Sequence, residues 1–210
     1  MEFALFPLHA VHYPGLPVRL HVFEERYRDL IRECLEEDVT FGTLLIVRGS
    51  EVGTHVEIAP VGTEVSIVAH QALPDGRYLV AGVGERRFRV LERLPDKPYP
   101  RATVDFMREG RDAADADVLE RRRVQVERGV RAYLRLLGTA QDELDGLDMA
   151  AEPWLASYEV AALLRVDQHE KQAMLEAPTV ADRLRLESRT LTREIALLEH
   201  LRRHGPPAQG

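Results

Sequence analysis

Apolar and polar residues follow two different periods at the start of the chain. Residues 3–8 are almost entirely apolar and predict a short buried strand, with Pro7 close to its end. Residues 18–23 alternate between apolar and polar positions and predict a second short strand. The period then changes to steps of three and four residues, which predicts a helix. Its apolar face would consist of Phe23, Tyr27, Leu30, Ile31 and Cys34.

The following stretch, up to residue 108, predicts several further strands. Short runs rich in apolar and β-branched residues lie at 41–47, 56–58, 61–68, 77–83, 86–91 and 101–107. Pro74-Asp75-Gly76 separates two of these runs and predicts a tight hairpin turn. Short strands in this number, with one helix between them, are typical of a small, curled antiparallel sheet or barrel.

A polar segment then separates this β-rich part from helix-rich sequence, and it suggests where the domains meet. We predict a first domain over residues 1–108, a linker over 109–117 and a helical bundle over 118–205. The bundle should end in a long amphipathic helix, because apolar residues recur there at helical spacing. Residues 206–210 should form a disordered tail.

Several short motifs follow one another along the chain. They are Leu5-Phe6-Pro7-Leu8, Pro14-Gly15, Leu20-x-x-Phe23-Glu24-x-Arg26-Tyr27, Pro74-Asp75-Gly76-Arg77, Gly84-Glu85-Arg86-Arg87-Phe88-Arg89, and Lys171-Gln172-x-x-Leu175-Glu176 followed by Arg183-Leu184. In this order, these motifs resemble the N-terminal domain of Lon proteases. The resemblance covers nearly the whole chain. It implies an α+β fold: a PUA-like (pseudouridine-synthase-and-archaeosine-transglycosylase-like) antiparallel β-barrel with one interposed helix, followed by a C-terminal helical bundle ending in a long helix.

The resemblance also implies a function. The Lon N-terminal domain recognises substrates, so a protein that carries this domain alone would bind unfolded or degron-bearing polypeptide, or a partner protein, as an adaptor for proteolysis. The sequence contains neither the Walker A pattern of an ATPase nor a recognisable Lon-type protease domain. We therefore expect no enzymatic activity and no catalytic residue.

The family motifs contain polar and aromatic residues to which we assign structural roles. Tyr27 should lie in the core, with Glu24 and Arg26 pairing with each other or with the barrel backbone. The other motif residues of this group are Phe23, Asp75, Gly76, Arg86 and Phe88. Arg87 and Arg89 should share one solvated or salt-bridged face of a strand, because side chains two residues apart point the same way.

The loop between the first two strands supplies the candidate binding residues. Tyr13, Leu16 and Pro17 form an apolar patch suited to an unfolded or apolar peptide if they are exposed. If they are buried, they close one end of the barrel, and the sequence leaves both alternatives open. An open sheet edge offers another route, since a peptide can bind by adding a strand.

Charge narrows the range of partners. The net charge is −7, and both halves of the chain are mildly acidic, which makes nucleic acid an unlikely partner because its backbone binds to basic surfaces. An RNA-binding module is still the alternative function, since PUA-like barrels elsewhere bind RNA. In that case the strand that carries Arg87 and Arg89 would contact the RNA.

Nothing in the sequence calls for a metal, a cofactor or a membrane. His9, His12 and His21 lie close together in the chain, but this region has no cysteine and no His-Glu-x-x-His motif. No apolar run approaches the length of a membrane span, and the N-terminus lacks the basic region of a secretory signal. The one cysteine, Cys34, cannot form an internal disulfide. We therefore expect a cytoplasmic protein without a metal or cofactor.

Overall fold

The computed structural model describes residues 1–49, 56–108 and 114–205. In these residues the chain forms seven strands and six helices. The strands are β1 (Glu2–Leu8), β2 (Pro17–Val22), β3 (Phe41–Arg48), β4 (Glu57–Ile58), β5 (Val61–Ala72), β6 (Tyr78–Leu94) and β7 (Arg101–Phe106). The helices are α1 (Glu25–Glu37), α2 (Ala116–Leu136), α3 (Gln141–Asp145), α4 (Pro153–Leu163), α5 (Gln168–Glu176) and α6 (Val180–His204).

The chain divides into two compact units, and each combines separate segments of sequence. The first contains Met1–Gly110 and Val166–Glu176, and the second contains Arg111–Arg165 and Ala177–Gly210. Helix α5 therefore belongs to the first unit, although the sequence led us to group it with the helical bundle over 118–205. The other predicted domain limits stay a prediction, and residues 109–113 of the predicted linker and the predicted tail over 206–210 lie outside the described residues.

The strands of the first unit form one sheet that curls into a near-barrel. Their order is β1-β7-β6-β5-β3-β4, and β1 also pairs with β3, which closes the ring. The β1–β3 pairing is parallel and the other pairings are antiparallel. Among the described strands, β2 pairs with β6 alone. This sheet, with its single helix α1 and the later helices that end in α6, confirms the predicted α+β class.

One face of α1 packs against inward-facing residues of the sheet. The buried residues of this helix are Tyr27, Leu30, Ile31 and Cys34, which recur at helical spacing. They form one core cluster with strand residues that include Val18, Leu20 and Val22 of β2. Burial raises the pKa of the Cys34 thiol to about 12. Cys34 is therefore a core residue and not a reactive thiol.

Phe23, which we predicted on the same helix face, lies outside the helix. Helix α1 begins at Glu25, and Glu24 before it has an extended backbone, so Phe23 does not share the helical period. Its side chain is 53% exposed, and its ring centroid lies 6.0 Å from that of His21. The predicted placement was wrong because the apolar pattern does not reveal where the preceding strand ends.

The turn between β5 and β6 confirms the predicted hairpin. Gly76 has a φ of +81°, a conformation that side-chain-bearing residues rarely adopt. The N–H of Gly76 donates to the carbonyl of Leu73 at 2.9 Å, and the N–H of Leu73 donates to the carbonyl of Arg77 at 2.8 Å. The Arg77 backbone N–H also holds the pKa of Asp75 below its usual range. These bonds fix the register in which β5 and β6 pair.

In the second unit, α2 packs against α4 and α6. Gly129 permits a close approach of α2 and α6, since a Cβ atom there would lie 3.1 Å from Leu191 Cδ1. Arg183 and Glu187 of α6 are both buried, and the Arg183 guanidinium lies 3.7 Å from the ring centroid of Tyr158. Burial raises the pKa of Glu187 well above its usual range, and the nearby charge of Arg183 partly opposes this shift.

Candidate functional site

One outward surface of the sheet is covered by α5. Asp167 begins this helix, because its carboxylate accepts hydrogen bonds from the N–H groups of His169 and Glu170 at 2.8 and 2.9 Å. The helix contacts β3 and β5. The side-chain amide of Gln172 donates to the carbonyl of Val61 at 2.9 Å. The first five residues of β5 are all buried, so this part of the sheet is closed to solvent.

Arg87 binds the C-terminal end of the same helix. Its side chain is 0% exposed, and its guanidinium donates to the carbonyl of Leu175 at 2.8 Å. Carbonyls in the last turn of a helix lack helical partners and favour a cation. Our prediction that Arg87 lies on a solvated face with Arg89 was wrong for Arg87, since a helix distant in sequence covers it. Arg89 is exposed, as predicted.

The loop between β1 and β2, together with the first residue of β2, contains the three residues that we predicted as a peptide site. Tyr13 is 3% exposed, and its hydroxyl donates to the carbonyl of Lys171 at 3.1 Å. Leu16 is half-buried and Pro17 is exposed. The structure therefore separates these residues: Tyr13 lies inside the unit, whereas Pro17 lies on its surface at the start of β2.

A second outward surface of the sheet is exposed to solvent in the described residues. It is formed by β2, β6 and the C-terminal part of β5. Exposed and buried positions alternate along the whole of β2, so that every second side chain points outward. We name this surface the bare face, and its outward residues are Pro17, Arg19, His21, Ala69, Gln71, Leu79 and Ala81.

The bare face contains a groove with an apolar floor and a basic side. Its volume is about 520 Å³. Leu79 on the middle strand is 43% exposed, and the small side chains of Ala69 and Ala81 pair beside it. Arg19 and His21 on β2 are the register partners of Ala81 and Leu79. A ligand in this groove would therefore contact apolar side chains and a positive charge together.

The outer edge of β2 borders a second cavity, of about 330 Å³, which we name the edge cleft. Arg19 and His21 line it on the β2 side. The rings of Phe6 and Tyr27, stacked with centroids 4.1 Å apart, line it on the other, and the exposed Phe23 also borders it. The edge cleft is thus a partly apolar space beside a strand edge, and its lining also includes His9, His12 and Glu24.

Two polar groups in the edge cleft differ in charge state and pairing. Glu24 forms an ion pair with Arg26 at 3.0 Å, and the Arg26 guanidinium lies 4.5 Å from the ring centroid of Tyr27. His12 Nδ1 is buried and has no hydrogen-bond partner among the described residues. Burial lowers the pKa of His12 to about 4, so the ring is neutral at physiological pH.

The remaining motif residues lie away from both cavities. Arg86 pairs with Glu64 at 2.6 Å, and its guanidinium lies 3.7 Å from the ring centroid of Phe106. Phe88 is fully buried and packs edge-on against Phe3, with ring centroids 5.3 Å apart. Asp75 and Gly76 form the β5–β6 turn described above. The contacts of Arg86 and Phe88 hold the sheet together and do not reach the bare face.

Within residues 1–49, 56–108 and 114–205, no group of three or more His, Cys, Asp or Glu side chains could hold a metal ion. In the same part of the chain, no helix combines the length and apolar character needed to cross a membrane.

The sequence predicted an open sheet edge in general terms but did not locate the bare face or the edge cleft. Arg19, Leu79 and Ala81 were not singled out, because each is ordinary for a strand, and His21 was considered only as a metal ligand. The sequence does contain a signal for the bare face: polar and apolar residues alternate along β2, and apolar residues remain at outward positions of β6. Its meaning depends on the strand register, which places Leu79 opposite His21 and is not visible in the sequence.

Comparison with known families gives a match over most of the chain. The model of the ATP-dependent protease La (LON) substrate-binding domain matches residues 2–193. Lon protease 2 of Myxococcus xanthus is 26% identical over 200 residues, covering 93% of this chain and 24% of that protein. Lon protease of Anaeromyxobacter dehalogenans is 25% identical over 200 residues, with 93% and 23% covered. The chain thus spans about a quarter of the length of these curated relatives.

Two solved structures are similar over nearly their whole length. A Lon N-terminal domain protein from Xanthomonas campestris aligns with a TM-score of 0.63 at 25% identity, covering 93% of this chain and 98% of that one. The N-terminal domain of the Mycobacterium avium complex Lon protease shares the fold, with a TM-score of 0.66 at 16% identity, covering 91% and 98%. The match over residues 2–193 shows that this chain belongs to the family of LON substrate-binding domains.

Proposed function

We propose that this protein is a non-catalytic recognition module that binds unfolded or degron-bearing polypeptide, or a partner protein, and serves as an adaptor for proteolysis. Membership of the LON substrate-binding domain family supports the binding of protein substrates in general. The bare face supports the more specific proposal that unfolded polypeptide binds here, because Leu79 and two alanines lie on a regular, solvent-exposed sheet surface.

The chemistry of the bare face suits weak binding to many sequences. Apolar contact contributes about 25 cal/mol per Å² of buried apolar surface and has no directional requirement. A groove with an apolar floor therefore binds exposed apolar side chains of an unfolded chain without selecting one sequence. Folded proteins bury most such side chains, which gives the site a preference for unfolded segments.

The RNA-binding alternative depended on an arginine-bearing strand. Arg87 is buried and bonded to Leu175, so it is not available to contact a phosphate. On the bare face, Arg19 and His21 border a groove whose floor is aliphatic, whereas single-stranded RNA binds to aromatic stacking surfaces. The geometry therefore favours polypeptide over RNA.

The proposal can be tested by fluorescence anisotropy. The purified chain is titrated into labelled, reduced and carboxymethylated lactalbumin, which cannot refold, and into a labelled RNA oligomer, at low and at physiological salt. We expect the unfolded protein to bind at both salt concentrations, because apolar contact persists when charges are screened. RNA binding that weakens with salt, without polypeptide binding, would contradict the proposal.

A matched pair of variants assigns the binding to the bare face. Leu79→Ser removes the exposed leucine from the groove, and we expect the affinity for the unfolded protein to fall. Leu91→Ser is the control, since Leu91 lies on the same strand, is 61% exposed and does not line the groove. An equal loss in both variants would contradict the assignment.

A further inference from the structure

Strand β2 carries backbone groups that the sheet does not use. The N–H of Gly84 donates to the carbonyl of Leu16 at 3.0 Å, and the register continues along β2 in two-residue steps. In an antiparallel pair, hydrogen-bonded residues alternate with residues whose N–H and C=O groups point away from the partner. Arg19 and His21 therefore direct their backbone groups away from β6, to an edge where the described residues place no further strand.

These backbone groups face the edge cleft. Arg19 and His21 both line it, opposite the stacked rings of Phe6 and Tyr27. Exposed strand edges are normally shortened, twisted or covered, because another strand can pair with them. An open edge beside an apolar cleft is the arrangement that binds an extended peptide through its main chain, while pockets accept alternate side chains.

The charges around β2 favour acidic side chains in the bound segment. Arg19 is exposed on the bare face, and His21 beside it has its Nε2 3.2 Å from Arg77 Nη1. Arg77 is itself paired with Asp75 at 2.7 Å, and Glu24, the acid that lines the edge cleft, is paired with Arg26 at 3.0 Å. Arg19 therefore supplies the positive charge that the outward side of β2 presents to a neighbouring strand, and a carboxylate complements it.

We propose that an extended segment of the bound polypeptide adds to the free edge of β2 as an antiparallel strand, with apolar side chains in the edge cleft and acidic side chains beside Arg19 and His21. This proposal rests on the proposed function and adds the mode of binding and the class of sequence that is recognised. Side chains of a strand alternate between its two faces. The recognised segment is therefore one in which apolar and acidic residues alternate.

Peptides methylated on alternate backbone nitrogens test this mode without altering the protein. A labelled peptide of alternating valine and glutamate is titrated with the full chain in three forms: unmodified, N-methylated at each glutamate, and N-methylated at each valine. In the proposed strand the glutamates lie opposite Arg19 and His21, and their N–H groups point to β2. Methylation of the glutamates should weaken binding about tenfold or more, the effect of two lost hydrogen bonds, whereas methylation of the valines should change it little.

A charge reversal tests the preference for acidic side chains. In the variant Arg19→Glu, we expect binding of the valine–glutamate peptide to fall about fivefold, and binding of a valine–lysine peptide to rise. Arg89→Glu is the matched control, because it reverses an exposed charge on β6 that borders neither cavity. Both peptides should bind this control as they bind the native chain.

The unmodified peptide and the unfolded protein separate the two proposals. If both bind, and the two methylated peptides lose affinity equally or not at all, strand addition is wrong and the proposed function stands. Loss confined to the valine-methylated peptide would overturn the antiparallel arrangement. If neither the unmodified peptide nor the unfolded protein binds, the proposed function itself fails.

Discussion

Two outward surfaces of the same sheet differ in how they are completed. Over the first half of β5, α5 packs on the sheet. Arg87 of the sheet donates to a backbone carbonyl of α5, and Gln172 of α5 donates to a backbone carbonyl of the sheet. Over the second half of β5, with β2 and β6, the bare face is exposed and the backbone groups of Arg19 and His21 have no strand partner in the described residues. This chain itself packs on the covered surface and hydrogen-bonds to it, whereas the outward backbone groups at the edge of the bare face are available to pair with another chain.

This difference separates residues that support the fold from residues that are available for binding. A buried polar group must be paired within the protein, since leaving it unpaired costs about 1–3 kcal/mol. An exposed apolar side chain contributes little to the folded state and can be replaced without large loss of stability. Substitutions beneath α5 should therefore lower stability, whereas substitutions on the bare face should alter binding.

The largest effect is expected under α5. Arg87→Ala removes a fully buried side chain and leaves the carbonyl of Leu175 unpaired, so we expect a loss of about 3–4 kcal/mol in unfolding free energy. Hydrogen exchange measured by mass spectrometry should become faster in α5. Arg89→Ala, at an exposed position on the same strand, should change stability by less than about 0.5 kcal/mol. Similar losses in both variants would contradict the contrast.

The second effect depends on pH and concerns His12. Its pKa is lowered in the folded state, from 6.5 to about 4, so the unfolded chain binds a proton more readily. Stability is therefore fully present above pH 6.5 and falls on acidification, by up to about 3 kcal/mol when pH 4 is reached. Urea unfolding at a series of pH values should show a shallower acid loss for His12→Asn. Parallel curves for the variant and the native chain would rule out this origin.

A smaller effect is expected for Gln172. Its amide donates to the buried carbonyl of Val61, so Gln172→Ala should lower the unfolding free energy by about 1–2 kcal/mol. Gln168→Ala is a useful comparison, because Gln168 lies on the same helix and accepts a hydrogen bond from the N–H of Val11 at a less buried position. The Gln168 variant should lose less unfolding free energy than the Gln172 variant. A lower melting temperature for the Gln168 variant would contradict the role of Gln172 in holding α5 on the sheet.

The smallest effect on stability is expected on the bare face. Leu79→Ser should change the unfolding free energy by less than about 0.5 kcal/mol, as should Leu91→Ser, because both side chains are substantially exposed. The two variants should differ in binding to the unfolded protein and not in denaturant midpoint. If Leu79→Ser unfolds the protein, the leucine belongs to the fold and the bare face loses its functional interpretation.

Much of the fold could be predicted from local sequence and family motifs. The helical period placed Tyr27, Leu30 and Ile31 on the buried face of α1. Asp75-Gly76 marked the hairpin, since a glycine is needed where φ is positive. The position of Phe23 was predicted wrongly because it lies between β2 and α1. An apolar residue at this position fits both the two-residue period of the strand and the helical period that follows.

The candidate site was less accessible to sequence reasoning. Tyr13 looked suited to a surface patch, but its hydroxyl bonds to Lys171, which lies 158 residues further along the chain. Leu79 looked like an ordinary strand residue, and its exposure follows from the register of three strands and from the extent of α5 over the sheet. The hydrophobic period of a single segment reveals neither which distant residue a side chain contacts nor whether another helix covers it.

The sequence by itself determined the family, the α+β class, the amphipathic α1 and the turn at Gly76, because periodicity, glycine and short motifs act over a few neighbouring residues. The tertiary structure decided which surface is covered and which is open. Arg87 and Leu175 are 88 positions apart, and their hydrogen bond exists only when α5 returns to the sheet. Arg87 is thereby removed from the surface, while Arg89 on the same strand stays exposed. Strand β2 is left as an edge to which the described residues add no further strand.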